Sequence, residues 1–118
     1  MLQVLMVDDD AGQLRLREII LRNAGLTVTL ATDAESALAC LRSKGGEIGL
    51  VVTDHNLPGR CGADLVRELR LTAPSLPVLV LSGMPGIEPE YDDLHVTFCF
   101  KPIPPEEFIQ VIQRCLSP

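Results

Sequence analysis

Asp8, Asp9, Asp54, Ser82 and Lys101 are the residues whose types and spacing could carry chemistry. Each follows a short apolar run. Residues 3–7 lead into Asp8-Asp9-Asp10, 48–53 into Asp54, 78–81 into Ser82-Gly83, and 96–100 into Lys101-Pro102. Taken alone, a carboxylate at such a place is a metal ligand, a nucleophile or a turn former. If the runs are strands whose ends share one edge, three carboxylates, a hydroxyl and an ammonium converge there. Like charges gathered without a counter-charge repel. A hard divalent cation resolves this: magnesium takes one or two carboxylates, keeps several waters and shares a phosphate oxygen. A hydroxyl can donate to one phosphoryl oxygen and a lysine can pair with another. Phosphoryl transfer asks for such positioning and charge neutralisation. A carboxylate nucleophile at Asp54 would form an acyl phosphate.

The elements between these residues must bring them together. A helix is expected over about 11–24, with Leu16, Ile19, Ile20 and Ala24 inward and Arg15, Arg17, Glu18 and Arg22 largely outward, ended by Gly25. A second strand covers 26–31. Thr32 and Glu35 have the spacing of a capping box for the next helix, whose face is Ala34, Ala37, Leu38 and Leu41. The third strand is 48–53, followed by a loop over 54–61. Gly62, Leu65, Val66 and Leu69 give a third helical face, closed by Pro74. Residues 84–95 hold Pro85 and Pro89, which deny a full helix and allow a turn or two from 89 to 94. Pro105 opens a last helix with Phe108, Val111, Ile112 and Cys115 on one face. This alternation predicts an α/β fold with a five-stranded parallel sheet, doubly wound, in the order 2-1-3-4-5. The switch point then falls between strands 1 and 3, where Asp8, Asp9 and Asp54 end.

Composition limits the alternatives. A chain of 118 residues fits one domain spanning 1–118. It is 47% hydrophobic and only 3% aromatic, so the core must be aliphatic. A net charge of −6 argues against direct nucleic-acid binding. Cys40, Cys61, Cys99 and Cys115 form no CxxC pair and read as small reduced residues, consistent with a cytoplasmic location. The apolar start, 1–7, is too short for a span and has no preceding basic region, so it is not read as a signal peptide.

The four segments Val7-Asp8-Asp9-Asp10, Thr53-Asp54-His55-Asn56-Leu57-Pro58-Gly59, Leu81-Ser82-Gly83 and Phe100-Lys101-Pro102 occur in order, each at a predicted strand end. Together they resemble the receiver domain of two-component response regulators, over the whole chain. The resemblance implies a flavodoxin-like fold and phosphorylation of Asp54 by the phosphohistidine of a sensor histidine kinase or a histidine phosphotransfer protein. It implies magnesium, or another divalent cation such as manganese, on Asp8, Asp9, Asp54 and the backbone carbonyl of Asn56, with Asp9 the more direct of the first pair. Ser82 and Lys101 would bind phosphoryl oxygens. Ser82 and Phe98 would be the switch residues that a downstream output domain or protein reads. The Lys101–Pro102 bond is typically cis in the family.

The sequence also departs from that pattern. The stretch from Ser82 to Lys101 is short and broken by prolines, giving a shortened or irregular fourth helix like that of receivers attached to hybrid histidine kinases. The family's common symmetric dimer is not assumed for this chain. Cys61 replaces a usual acidic residue, and Asn56 and Met84 occupy positions that tune phosphoryl lifetime. His55 reads as a partly exposed loop residue rather than a base or relay. The expected role is signalling, not enzymatic turnover. The rivals are a receiver-like interaction module that is never phosphorylated, a phosphohydrolase, and a nucleotide or flavin site. Asn56 lies where a hydrolase would need its second carboxylate, and no glycine-rich loop follows the first strand.

Overall fold

A computed structural model describes residues 2–117; Met1 and Pro118, which the single-domain reading includes, lie outside the described residues. The chain alternates strands and helices: β1 Gln3–Val7, α1 Ala11–Asn23, β2 Val28–Ala31, α2 Ala34–Lys44, β3 Ile48–Asp54, α3 Gly62–Thr72, β4 Val78–Ser82, β5 Thr97–Phe100 and α4 Pro105–Leu116. The strands form one parallel sheet in the order β2-β1-β3-β4-β5, as expected.

Alternation along each strand splits the core in two. Leu5, Val7, Val51 and Val80 pack on Ala34, Ala37 and Leu38 of α2 and on Leu65, Val66 and Leu69 of α3. Val4, Met6, Leu50, Val52, Leu79 and Leu81 pack on Leu14 and Leu21 of α1 and on Phe108 and Ile112 of α4. With helices on both faces, the central strands have no polar side to show. β3 is buried at every position, which is why its sequence reads as a continuous apolar run. β5 is an edge strand, with Thr97 and Phe100 exposed.

Register positions the chemistry. Val7 pairs with Thr53, so the next residues, Asp8 and Asp54, reach the C-terminal edge side by side. Asp54 pairs with Leu81 and Ser82 with Phe100, and the amide of Lys101 donates to the Ser82 carbonyl at 2.8 Å.

Several local expectations shift. β2 begins at Val28 rather than 26 and β5 at Thr97 rather than 96, while Asp54 and Ser82 are the last residues of their own strands. The cap of α2 moves by one residue. The Asp33 carboxylate accepts from the Ser36 amide at 2.7 Å, and the Ser36 hydroxyl oxygen accepts from the Asp33 amide at 3.3 Å. Two boxes with the same spacing overlap here, and aspartate is the stronger cap. Glu35, released from that role, pairs with Arg60 at 2.6 Å.

The larger correction concerns α1. Leu16 and Ile19 are 52% and 42% exposed, whereas Leu14 and Leu21 are buried. Arg17, expected outward, lies three residues after Leu14 and four before Leu21, on the buried stripe. Its side chain is 12% exposed and its guanidinium meets Asp8. Apolar residues go nearly around this helix, so periodicity alone does not choose the stripe. The stripe that is buried packs Leu14 and Leu21 into the core and gives Arg17 its partner.

Residues 84–95 replace a fourth crossover helix with a single 3₁₀ turn, Glu88–Tyr91, carrying Pro89 in its first turn. Two arginines of α3 hold this segment. Arg70 donates from Nε to the Leu94 carbonyl at 2.8 Å and from Nη2 to that of His95 at 3.1 Å, and Arg67 donates to that of Glu90 at 2.8 Å. Tyr91 is buried, and its hydroxyl hydrogen-bonds with His55 Nδ1 at 2.7 Å. Gly62 makes room for this contact: a Cβ there would sit 2.6 Å from the Tyr91 hydroxyl and 2.9 Å from the Asp54 carbonyl oxygen. Tyr91→Phe should therefore destabilise the fold by about 1–2 kcal/mol in urea unfolding, because a buried imidazole nitrogen loses its partner. A change below about 0.3 kcal/mol would show that this bond adds nothing to stability. Gly62→Ala should cost about 1–3 kcal/mol in the same assay; wild-type stability would mean that the loop yields freely.

Candidate functional site

The site forms where β1 and β3 end. Asp8 is the first residue beyond β1 and is 1% exposed. Its Oδ1 accepts from the Asp10 amide at 2.9 Å, and its Oδ2 accepts from Arg17 Nη1 at 2.6 Å. Asp9 is exposed, and Asp54 is 8% exposed. Asp10 caps α1, its carboxylate accepting from the Gln13 amide at 3.1 Å.

Asp8, Asp9 and Asp54 each offer a carboxylate oxygen, and these atoms lie within 4.8 Å of one another. Opposite ligands of an octahedral magnesium are separated by about 4.2 Å, twice its bond length of about 2.1 Å. The donors are hard oxygens, and they line an open cavity of about 390 Å³ with Asn56, Leu57, Pro58 and Lys101, which leaves room for water. The residues present thus fit a small divalent cation in both chemistry and spacing.

Lys101 follows β5 and reaches across β4, its Nζ lying 2.9 Å from Asp54 Oδ2. Oδ1 of Asp54 accepts no hydrogen bond among the described residues, so one oxygen of this carboxylate is held and the other is free. Lys101–Pro102 is a cis peptide bond. The loop after β3 is closed by an isolated antiparallel bridge between Asn56 and Cys61, with Gly59 at φ 73° turning the chain. This closure brings Asn56 to the cavity wall.

Ser82 is placed differently from the others. It is 1% exposed, and its hydroxyl donates to the Met84 carbonyl and accepts from the Met84 amide, both at 3.0 Å. It is not among the residues lining the acidic cavity. Phe98 is half-buried, meets Tyr91 edge-on with ring centroids 5.4 Å apart, and stacks on the exposed Phe100 at 6.3 Å.

Two residues at the site escaped the sequence reading. His55 is buried, at 5% exposed, instead of partly exposed. It is held by Tyr91 on one nitrogen, with Glu90 3.5 Å from the other. Burial raises the Tyr91 phenol above its ordinary pKa, so it stays protonated at neutral pH. The signal for the pair was weak: one tyrosine among prolines, 36 residues from the histidine it meets. Arg17 was assigned to solvent by helical periodicity, yet it supplies a second cation to the acidic cluster.

Comparison with known proteins places this geometry. Residues 4–113 match the family described as the response regulator receiver domain. The Arabidopsis thaliana two-component response regulator ARR14 is 33% identical, over 96% of this chain and 30% of its own length. The Pseudomonas aeruginosa transcriptional regulatory protein AruR is also 33% identical, over 91% of this chain and 46% of its own. The chain therefore spans less than half the length of these curated relatives. Among solved structures, the Vibrio cholerae chemotaxis response regulator CheY4 superposes with a TM-score of 0.86 at 27% identity, covering 98% of this chain and 99% of that one. The HemR receiver domain of Leptospira biflexa gives 0.89 at 26% identity, covering 100% and 96%. The fold, the order of its strands and the matched residues agree: the chain belongs to the response regulator receiver domain family of two-component signalling.

Proposed function

We propose that Asp54 is the phosphoacceptor of this domain and that a divalent cation, magnesium foremost, is held by Asp8, Asp9, Asp54 and the Asn56 carbonyl. The observation that carries this reading is the three-carboxylate cluster with Lys101 on one oxygen of Asp54. The free oxygen of Asp54 attacks the phosphorus of a phosphohistidine on a sensor kinase or phosphotransfer protein. An O–P bond forms, the P–N bond breaks, and the imidazole leaves with the electron pair and takes up a proton. A divalent cation held by Asp8, Asp9, Asp54 and the Asn56 carbonyl would supply charge neutralisation for the transferred group. Lys101 positions Asp54 beforehand and afterwards pairs with a phosphoryl oxygen.

Ser82 would complete the phosphoryl contacts by giving up its bonds to Met84, so the exchange alters the backbone at the start of 84–95. The phosphoryl group adds roughly −1.5 to −2 of charge. Tyr91, Phe98 and Phe100 form a packed row from that segment to the surface, and Phe98 is the residue whose position a downstream output domain or protein would read. The role is signalling in the cytoplasm, without direct nucleic-acid contact. The −6 net charge supports the latter, and no described helix is long and apolar enough to cross a membrane.

Intact-mass measurement after incubation with acetyl phosphate and magnesium should show one phosphoryl adduct on the wild type and none on Asp54→Asn. No adduct on either protein with acetyl phosphate or a phosphohistidine donor, or equal adducts on both, would overturn the assignment. Lys101→Ala should fold but accept phosphate at least about tenfold more slowly, in keeping with the loss of one charged stabiliser. A wild-type rate would remove Lys101 from the mechanism.

A further inference from the structure

Arg17 is an unusual residue for the place it occupies. It stands in the middle of the buried stripe of α1, between Leu14 at 4% and Leu21 at 0% exposure. A guanidinium on a core-facing stripe is costly unless it is paired. Its pair is Asp8, also buried, with Nη1 2.6 Å from Oδ2, and side-chain exposures of 12% and 1%. The other oxygen of Asp8 already accepts from the Asp10 amide. Both oxygens of one prospective metal ligand thus have protein donors of their own.

The charge balance of the cluster follows. Lys101 compensates Asp54, Arg17 compensates Asp8, and Asp9 alone has no cationic partner among the described residues. Asp10, the remaining carboxylate on the cavity, is turned to the cap of α1. The three-carboxylate set therefore carries a single net negative charge with both cations in place, and two without Arg17. Attraction for a divalent ion scales with that charge. At the effective dielectric of a partly buried site, one unit charge near the ligand oxygens changes affinity by about tenfold or more.

We propose that Arg17 is a built-in counter-ion that sets the affinity of the acidic pocket for its divalent cation, holding it weaker than the carboxylates alone would make it. This rests on the cation reading of the site given above and adds to it a residue of α1 that would ligate nothing. Arg17 positions Asp8 and competes electrostatically with the incoming ion. When a phosphoryl group arrives, its negative charge offsets that competition. Cation and phosphoryl loading then favour each other reciprocally, as linkage requires.

The test is direct cation binding to wild type, Arg17→Gln and Arg17→Lys at fixed ionic strength. Free manganese is read by electron paramagnetic resonance and magnesium by competition. Glutamine keeps a hydrogen-bond donor toward Asp8 but removes the charge; lysine keeps the charge. Arg17→Gln should bind manganese about tenfold more tightly than wild type, and Arg17→Lys should stay within about threefold. Equal affinity of Arg17→Gln and wild type, or tightening of Arg17→Lys as large as that of Arg17→Gln, would overturn the proposal. Thermal melting covers a poorly folded variant. Magnesium should raise the melting temperature of Arg17→Gln more than that of wild type, and equal rises would overturn the proposal. Wild type and Arg17→Gln both failing to bind at millimolar manganese would instead remove the cation reading itself, and this proposal with it.

Discussion

Three carboxylates with oxygens held within 4.8 Å of one another at the end of a parallel sheet are the constraint on which the rest of this molecule depends. They repel, and two are almost fully buried, where a charge calls for a partner. The structure supplies it from both sides. Lys101 comes from beyond the edge strand and takes Asp54. Arg17 comes from the first crossover helix and takes Asp8. Asp9 stays exposed, facing the open cavity. A divalent ion entering there would meet a pocket that is already partly neutralised, which would favour a site that loads and unloads over a permanent structural metal.

The sheet delivers this arrangement through register. Parallel pairing of β1 with β3 sets Val7 opposite Thr53, and the residues after them have no freedom to separate. The two aliphatic layers fix the strands from both faces, so the site inherits its geometry from the core and not from its loops. By contrast, the face that would report the state of Asp54 is lightly built. Residues 84–95 make one short 3₁₀ turn, and Arg67, Arg70 and the Tyr91–His55 bond hold it on α3 and β3. A segment anchored by two buried side chains, Ile87 and Tyr91, and a few polar contacts can change state at less cost than a packed helix. Such a segment suits a signalling surface.

Much of this was legible in the sequence because the strongest signals are local. Apolar runs that end in Asp8, Asp54 or Ser82 specify buried strands, the run before Lys101 specifies the edge strand, and each names the residue at its end. The strand order and the irregular fourth crossover followed from alternation and from Pro85 and Pro89. What escaped was tertiary. The buried stripe of α1 takes in Arg17, which meets Asp8, a contact nine residues away that periodicity does not weigh. The cap of α2 was displaced because overlapping boxes share one spacing. His55 looked exposed because its partner, Tyr91, is brought to it only when the segment after β4 folds back over Gly62. Ser82 shows a further limit. Sequence set it at the correct edge, but its hydroxyl is occupied by the Met84 backbone, a choice between partners that residue types cannot reveal.

The central claim is that, of three neighbouring carboxylates, only Asp54 receives the phosphoryl group. Borohydride reduction converts an acyl phosphate to the corresponding alcohol, and peptide sequencing by mass spectrometry then locates it. After transfer from a phosphohistidine donor and reduction, homoserine is expected at position 54, with Asp8 and Asp9 unchanged. Homoserine at 8 or 9, or none at position 54 in a chain that has gained phosphate, would contradict the account.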